Sequence, residues 1–136
     1  YDLRLRYKDI KVTLKGSYLV KEPGPRYTLH GTEGSFLKWG IDPQEERLKN
    51  GMSPDQPGFG EEPRSDWGLL HTSLSGMEFR GKLKTIPGNY RLFYDGIYKA
   101  IRKGDEPGVK PEESAMVIRV IEKAFESDRE RKEILI

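Results

Sequence analysis

The 136-residue sequence contains no cysteine, only two histidines and no long apolar run. Without cysteine it has no disulfide framework, no thiolate zinc site and no cysteine nucleophile. No apolar segment reaches the roughly 18 residues of a membrane helix, and no signal peptide is evident, so we expect a cytoplasmic protein without a membrane partner. Its 24 basic and 22 acidic residues nearly cancel, to a formal charge of +2, which gives no support for a nucleic-acid partner.

The sequence also lacks a nucleotide-binding turn. Such a turn needs G-x-G-x-x-G between a strand and a helix. The nearest string is G-F-G-E-E-P, from Gly58 to Pro63. It lacks the third glycine and places two acids and a proline where phosphate would approach, so we expect no cofactor to bind within these residues. His30 and His71 lie on different predicted strands with no third ligand in a suitable spacing, so we predict no metal site.

Short segments of alternating polarity predict most of the fold. The predicted strands are 2–7, 10–20, 27–30, 35–39, 67–73, 79–86 and 134–136, and 51–66 is predicted to be a long irregular loop. Three helices are predicted, the first with Asp42 as N-cap, the second between Asn89 and Gly104, and the third beginning at Pro111. Short reversals favour antiparallel pairing, and the long helices come late. The predicted fold class is therefore α+β, an open and predominantly antiparallel sheet with helices packed on one face.

The face of the predicted sheet away from the helices is polar and basic. Its expected side chains are those of Arg4, Arg6, Lys11, Thr13 and Lys15. Such a face is compatible with a solvated surface, with a contact between subunits and with a ligand surface. The alternation already runs in full from Tyr1, with no initiator methionine, which suggests a piece of a longer polypeptide.

The runs G-T-E-G-S-F-L-K-W-G-I-D-P-Q-E, beginning at Gly31, and N-Y-R-L-F-Y-D-G-I-Y-K-A-I-R-K-G, beginning at Asn89 and followed by P-E-E-S-A, carry a resemblance. They resemble the C-terminal domain of the glucose–fructose oxidoreductase, inositol dehydrogenase and rhizopine-catabolism (Gfo/Idh/MocA) family. The resemblance spans nearly the whole chain but only the second half of a family enzyme. It implies that residues 1–136 form a single C-terminal domain for substrate binding and oligomerisation, without the N-terminal Rossmann domain.

The resemblance implies a parent enzyme that uses NAD or NADP to oxidise a hydroxyl of a sugar or polyol, or to reduce the matching carbonyl. The family's catalytic Glu-Lys-Pro and Asp-x-x-x-His motifs do not occur here, so no catalytic residue is assigned to this chain. Family enzymes commonly pack the open sheet against a partner subunit, so the resemblance implies a homo-oligomer through that face. The alternative is a free-standing binding or assembly module with an exposed sheet face.

Three residues are candidates for substrate contact. In related enzymes a tyrosine at the start of the second long helix faces the substrate pocket, which implies that the Tyr90 hydroxyl binds a sugar or polyol hydroxyl. The alternative is that Tyr90 packs within the apolar stripe of its helix. Asn89 is a second candidate contact, although N-capping explains it equally. Trp67, beside the long loop, either stacks on a sugar ring or belongs to the core.

Overall fold

The computed structural model describes all residues from 1 to 136. The chain runs through β1 (Asp2–Arg6), β2 (Lys11–Lys15), β3 (Tyr27–His30), β4 (Gly34–Lys38), α1 (Gln44–Lys49), β5 (Gly68–Leu74), β6 (Met77–Leu83), α2 (Tyr90–Lys103) and α3 (Pro111–Glu130). Every strand pairing is antiparallel, and the two long helices follow the last strand. This confirms the predicted α+β class with open antiparallel sheets.

The contacts between Cα atoms divide the chain into two compact units. The first comprises residues 1–21 and 105–136, and the second comprises residues 22–104. β1 and β2 form a two-stranded sheet in the first unit, and β3 to β6 form a four-stranded sheet in sequence order in the second. The break between the sheets falls at Pro23-Gly24-Pro25, where proline removes the N–H groups that a continuous strand would use.

In the first unit, the register of β1 and β2 places the predicted basic side chains on one shared face. Arg4 lies opposite Thr13, and Arg6 opposite Lys11. Asp2 partly neutralises this face: its carboxylate lies 3.3 Å from Lys15 Nζ and 3.4 Å from Arg4 Nε. The hydrogen bond from Lys15, helped by Arg4, holds the pKa of Asp2 below its ordinary value.

The four-stranded sheet of the second unit has one apolar and one polar face. Leu29, Phe36 and Leu70 lie side by side in register on the apolar face. On the other face, His30 pairs with Ser35, which lies opposite His71. The tight turn between β5 and β6 is formed by Ser75 and Gly76, both with positive φ (50° and 80°), as in a type I′ hairpin turn.

Helix boundaries largely follow local signals in the sequence. The Asn89 side chain accepts a hydrogen bond from the Arg91 N–H (3.0 Å), and Gly104 ends α2 in the left-handed conformation. The Glu113 side chain accepts from the Lys110 N–H at the start of α3 (3.0 Å). None of the helices combines the length and apolar character needed to cross a bilayer.

Three predicted strands differ from the structure by more than one residue. β6 covers Met77–Leu83, where 79–86 was predicted. β2 ends at Lys15 instead of residue 20: Gly16 still exchanges two backbone hydrogen bonds with Tyr1 (2.8 and 3.1 Å), but no strand pairs with residues 17–20. Residues 134–136 form no strand, although their composition is strongly apolar, because no neighbouring strand pairs with them. Alternation of side chains therefore predicted where strands begin better than where they end.

Candidate functional site

A cavity of about 460 Å³ opens within the second unit, where the beginning of β3, the end of β4 and the beginning of α2 meet. This volume falls in the range of small-molecule sites. Its walls mix charged, aromatic and apolar groups; six of them are Arg26, Tyr27, Asp42, Glu45, Ile86 and Tyr90. A lining of carboxylates, a phenol and short apolar patches suits a hydroxylated ligand, which presents both O–H and C–H surfaces.

Gln44 is the most buried side chain at this site, with 1% of its surface exposed. Its amide Nε2 donates to Asp42 Oδ2 (2.8 Å), and its Oε1 accepts from the Tyr90 N–H (2.9 Å). The second carboxylate oxygen of Asp42 accepts from the Gln44 N–H (2.9 Å). A chain of three residues thus joins the beginning of α1 to the beginning of α2, across 46 positions of sequence.

The geometry of Asp42 also corrects the predicted start of α1. The helix begins at Gln44 with Pro43 in the N-cap position, one residue later than predicted. The Asp42 carboxylate nevertheless satisfies a free N–H of the first turn, as a capping side chain does.

Glycine at position 88 lets the linked residues come together. A Cβ atom there would lie 2.2 Å from Asp42 Oδ2 and 2.3 Å from Gln44 Nε2. The Gly88 N–H donates to the carbonyl of Gly60 (3.1 Å), and a Cβ on Gly60 would lie 1.8 Å from the Gly88 carbonyl oxygen. The segment before α2 is therefore held against two loops at distances that only glycine permits.

Lys38 forms the second buried polar cluster of the cavity wall. The residue is 8% exposed, and its ammonium donates to Glu62 Oε2 (2.6 Å) and to the carbonyls of Asp66 (2.8 Å) and Trp39 (3.1 Å). All three N–H bonds of the ammonium are therefore used. Because Glu62 belongs to the long loop, this ion pair ties the loop to the end of β4.

The long loop, predicted as irregular, is anchored at several points. The Arg47 guanidinium donates to the carbonyls of Gly58 (2.5 Å) and Phe59 (2.6 Å), and the Phe59 side chain is buried. A single 3₁₀ turn, Arg64–Asp66, leads from the loop into β5. These contacts hold the loop against α1 and make it a wall of the cavity.

The three predicted contact residues are placed differently. Tyr90 lines the cavity and is 39% exposed. Asn89 lies beside it but caps α2 through its side-chain oxygen. Trp67 is half-buried, and its indole N–H donates to the Glu62 carbonyl (3.3 Å), which supports the loop. Their roles in substrate binding stay predictions, of which the position of Tyr90 suits the predicted role best.

Sequence reasoning missed Lys38 and Gln44. Lys38 did carry a signal, since it follows Gly34 and Phe36 at alternate positions and therefore falls on the apolar face of β4. A lysine in such a position is buried only when its charge is paired. Gln44 carried no comparable signal, because its partner on α2 is distant in sequence.

A second, more open depression of about 500 Å³ lies at the hairpin tips of the same sheet. It is lined mainly by polar groups, including His71, whose Nε2 lies 2.7 Å from Glu78 Oε1. No group of three His, Asp or Glu side chains comes together in a way that would hold a metal ion.

The fold and the cavity together define an α+β domain with open antiparallel sheets and a cavity of mixed polar and apolar lining. The sequence model of the oxidoreductase family C-terminal alpha/beta domain matches residues 3–136. The chain therefore belongs to the Gfo/Idh/MocA oxidoreductase family and is its C-terminal domain.

Individual relatives agree with this placement. The chain is 37% identical to scyllo-inositol 2-dehydrogenase (NADP⁺) IolW of Bacillus subtilis (strain 168), over its whole length and 38% of that enzyme. Its fold matches the solved structure of Bacillus subtilis YvaA with a TM-score of 0.94 and 35% identity, covering 99% of this chain and 40% of the other. An oxidoreductase from Bacillus cereus matches with a TM-score of 0.83 and 37% identity, covering 92% and 37%. The chain thus spans about two fifths of the length of these relatives.

Proposed function

We propose that this chain is the substrate-binding domain of an NAD(P)-dependent oxidoreductase that acts on a hydroxyl of a polyol or sugar, or on the matching carbonyl. The observation that carries the proposal is the alignment of this whole chain with 38% of an enzyme named as an NADP⁺-dependent inositol dehydrogenase, combined with a cavity lined by groups able to bind hydroxyls. A cyclic polyol presents hydroxyls around a ring with apolar C–H faces, and the cavity offers partners for both.

The proposed roles follow from the chemistry of the lining residues. The Tyr90 hydroxyl both donates and accepts, so it suits a polyol hydroxyl in either direction. The carboxylates of Asp42 and Glu45 accept hydrogen bonds from hydroxyls, and Ile86 supplies an apolar patch for C–H groups. These residues bind and orient the substrate; none of them is proposed to transfer its proton.

The cofactor is NAD or NADP, by analogy with the NADP⁺ of the inositol dehydrogenase relative. The residues of this chain do not fit it: the G-F-G-E-E-P string has no third glycine, its carbonyls at Gly58 and Phe59 accept from Arg47, and Glu62 is paired with Lys38. We therefore propose that the nucleotide binds outside residues 1–136, and we assign no step through it to these residues.

The direct test is an assay of the full-length protein that carries this chain. Purified protein is incubated with NAD⁺ or NADP⁺ and a panel of inositols, linear polyols and aldoses, and reduced cofactor is followed at 340 nm. We expect turnover of at least one cyclic polyol or sugar. Absence of turnover with every member of the panel, in a protein that binds cofactor, would contradict the proposal. A gene that encodes residues 1–136 alone would favour the free-standing binding module.

Tyr90→Phe tests the proposed contact. Loss of one hydrogen bond to the substrate is expected to raise the KM about tenfold, because 1.4 kcal/mol corresponds to a factor of ten and a single bond contributes about that much. Tyr98→Phe is the matched control, since Tyr98 lies on the same helix outside the cavity lining. Equal KM values for wild type and Tyr90→Phe would place the substrate elsewhere.

Asn89 and Trp67 are the secondary proposed contacts, and each has a variant that separates binding from structure. Asn89→Asp keeps the capping oxygen and removes the amide donors, so a rise in KM without loss of helix would indicate contact with the substrate. Trp67→Phe keeps an aromatic face but loses the hydrogen bond to Glu62. Unchanged KM in both variants would leave Tyr90 as the contact from this group.

We further propose that the parent protein is a homo-oligomer that associates through an open sheet face. The support is the apolar face of β3–β6, on which Leu29, Phe79 and Met77 remain exposed; this face differs from the basic face of β1 and β2 for which the sequence predicted the contact. Exposed apolar groups on one face are typical of an interaction surface. Light scattering of full-length protein is expected to give a multiple of the subunit mass, and Phe79→Asp is expected to reduce it; a monomeric wild type would contradict the proposal.

A further inference from the structure

The proposed function assigns no role to the buried side-chain amide of Gln44. It is 1% exposed, yet it lies beside a cavity rather than in an apolar core. Burying an amide costs free energy unless its donors and acceptor are bonded, so its partners indicate what it does. One partner is the Asp42 carboxylate and the other is the backbone N–H of Tyr90.

We propose that Gln44 is a positioning residue that holds Tyr90 in its substrate-binding orientation by linking the Tyr90 N–H to the Asp42 carboxylate. The first residues of any helix have N–H groups without intrahelical partners. In α2, the side chain of Asn89 satisfies Arg91, whereas the Tyr90 N–H is satisfied only through Gln44. The backbone of Tyr90, from which its side chain projects, is therefore anchored by a group outside the helix.

Asp42 determines the direction of the hydrogen bonds in this link and strengthens them. Both oxygens of its carboxylate accept from Gln44, one from the backbone and one from the side chain. The second bond determines which way the Gln44 amide points: with Nε2 turned toward the carboxylate, Oε1 faces Tyr90. Hydrogen bonds to an ionised acceptor are stronger than neutral ones, which favours this single arrangement.

The surroundings leave the link little room to shift. Gly88 approaches both Asp42 Oδ2 and Gln44 Nε2 so closely that a methyl group cannot be added without displacement. The same carboxylate lines the cavity together with Tyr90. The link therefore joins two groups of one binding surface, and moving either of them would change the distance between substrate contacts.

The kinetic test rests on the proposed function and uses the full-length enzyme. Gln44→Met keeps an unbranched side chain of similar volume and removes both hydrogen bonds. We expect the KM for the polyol to rise about five- to tenfold with kcat within about twofold, as for loss of uniform binding. In a Tyr90→Phe background, the same change should raise KM by a clearly smaller factor, because only the part of its effect that passes through Asp42 remains. Multiplicative effects in the double variant would overturn the inference.

Gln44→Glu provides a second test that a merely structural role would not pass. The carboxylate of the introduced glutamate can still accept from the Tyr90 N–H, but it also faces the Asp42 carboxylate. Repulsion between the two negative charges raises the pKa of one of the two groups. Below that raised pKa the shared proton restores the bond. The ratio of KM in the variant to that in wild type should therefore fall as the pH is lowered from about 8 to about 5.5. The other ionisable groups of the cavity, Arg26, Lys38, Glu45 and Glu62, are present in both proteins and cancel in the ratio. A ratio independent of pH would overturn the inference.

A readout without activity separates this inference from the proposed function. Amide hydrogen exchange in the full-length protein should be at least tenfold faster at Tyr90 in Gln44→Met, with residues of β5 unchanged. If no polyol is turned over but exchange behaves in this way, the proposed function is wrong and the link stands. If Tyr90 exchanges equally in both proteins, the link is wrong whatever the activity.

Discussion

Lys38→Met is expected to destabilise the second unit strongly, because it breaks the buried ion pair of the cavity wall. The ammonium of Lys38 and the carboxylate of Glu62 retain 11% and 6% of their side-chain exposure and lie 2.6 Å apart. Removing the lysine leaves a buried carboxylate without its counter-charge and two carbonyls without a donor. Methionine preserves most of the apolar stem, so the loss is mainly electrostatic.

The magnitude follows from the burial of the partner that remains. Breaking a buried pair by removing one member costs about 3–5 kcal/mol, because an uncompensated charge stays in a poorly solvated site. Replacing both members by apolar groups is often nearly neutral. The double variant Lys38→Met with Glu62→Met is therefore expected to be more stable than Lys38→Met alone.

Urea unfolding followed by tryptophan fluorescence measures this directly, because both tryptophans, Trp39 and Trp67, belong to the second unit. Lys49→Met is the control: its ion pair with Glu45 is on the surface, with both side chains more than half exposed, and such pairs contribute little. We expect an unchanged midpoint for the control and a large decrease for Lys38→Met. A loss below about 1 kcal/mol, or a double variant less stable than Lys38→Met, would refute the reasoning.

Three further expectations concern other parts of the chain. Gly60→Ala should lower the free energy of unfolding by about 1–3 kcal/mol, because its Cβ would meet the Gly88 carbonyl oxygen at 1.8 Å, whereas Gly108→Ala, with open space around it, should be nearly neutral; equal effects would contradict the close packing. The hydrogen bond from Lys123 lowers the pKa of Glu126 from its ordinary value of 4.5. The contribution of this ion pair to the stability of α3 is therefore complete above pH 4.5 and is lost as the pH falls through the lowered pKa. Circular dichroism between pH 6 and pH 2 should show less acid sensitivity of α3 in Lys123→Met, and identical titrations would disprove this. Residues 1–136 alone should show no micromolar binding of NADH in a fluorescence titration; a saturable signal in that range would refute the absence of a nucleotide site.

Local signals in the sequence predicted much of the fold. The Asn89 cap, the Gly104 terminus, the proline start of α3 and the turn at Ser75-Gly76 each depend on a few adjacent residues, and the structure confirms them. The strand ends were less predictable. Residues 17–20 and 134–136 carry the sequence pattern of strands but have no neighbouring strand to pair with, and a partner strand cannot be predicted from the segment itself.

The candidate site was predictable only in part. Tyr90 was identified through the family resemblance, and the structure places it at the cavity. The residues that hold the cavity together were not identified, because each acts over a long sequence separation: 24 positions between Lys38 and Glu62, and 46 between Gln44 and Tyr90. Hydrogen bonds between distant segments leave no periodic pattern in either segment. The lysine on the apolar face of β4 is the one exception, since its position alone indicates a buried charge.

The central claim is that the cavity beside Tyr90 receives the substrate. A crystal structure of the full-length protein with cofactor and its best polyol or sugar tests this most directly. The account predicts an oxygen of the substrate within about 2.5–3.0 Å of the Tyr90 hydroxyl, the usual range for such a hydrogen bond. A substrate bound with no contact to Tyr90, Asp42 or Glu45 would contradict it.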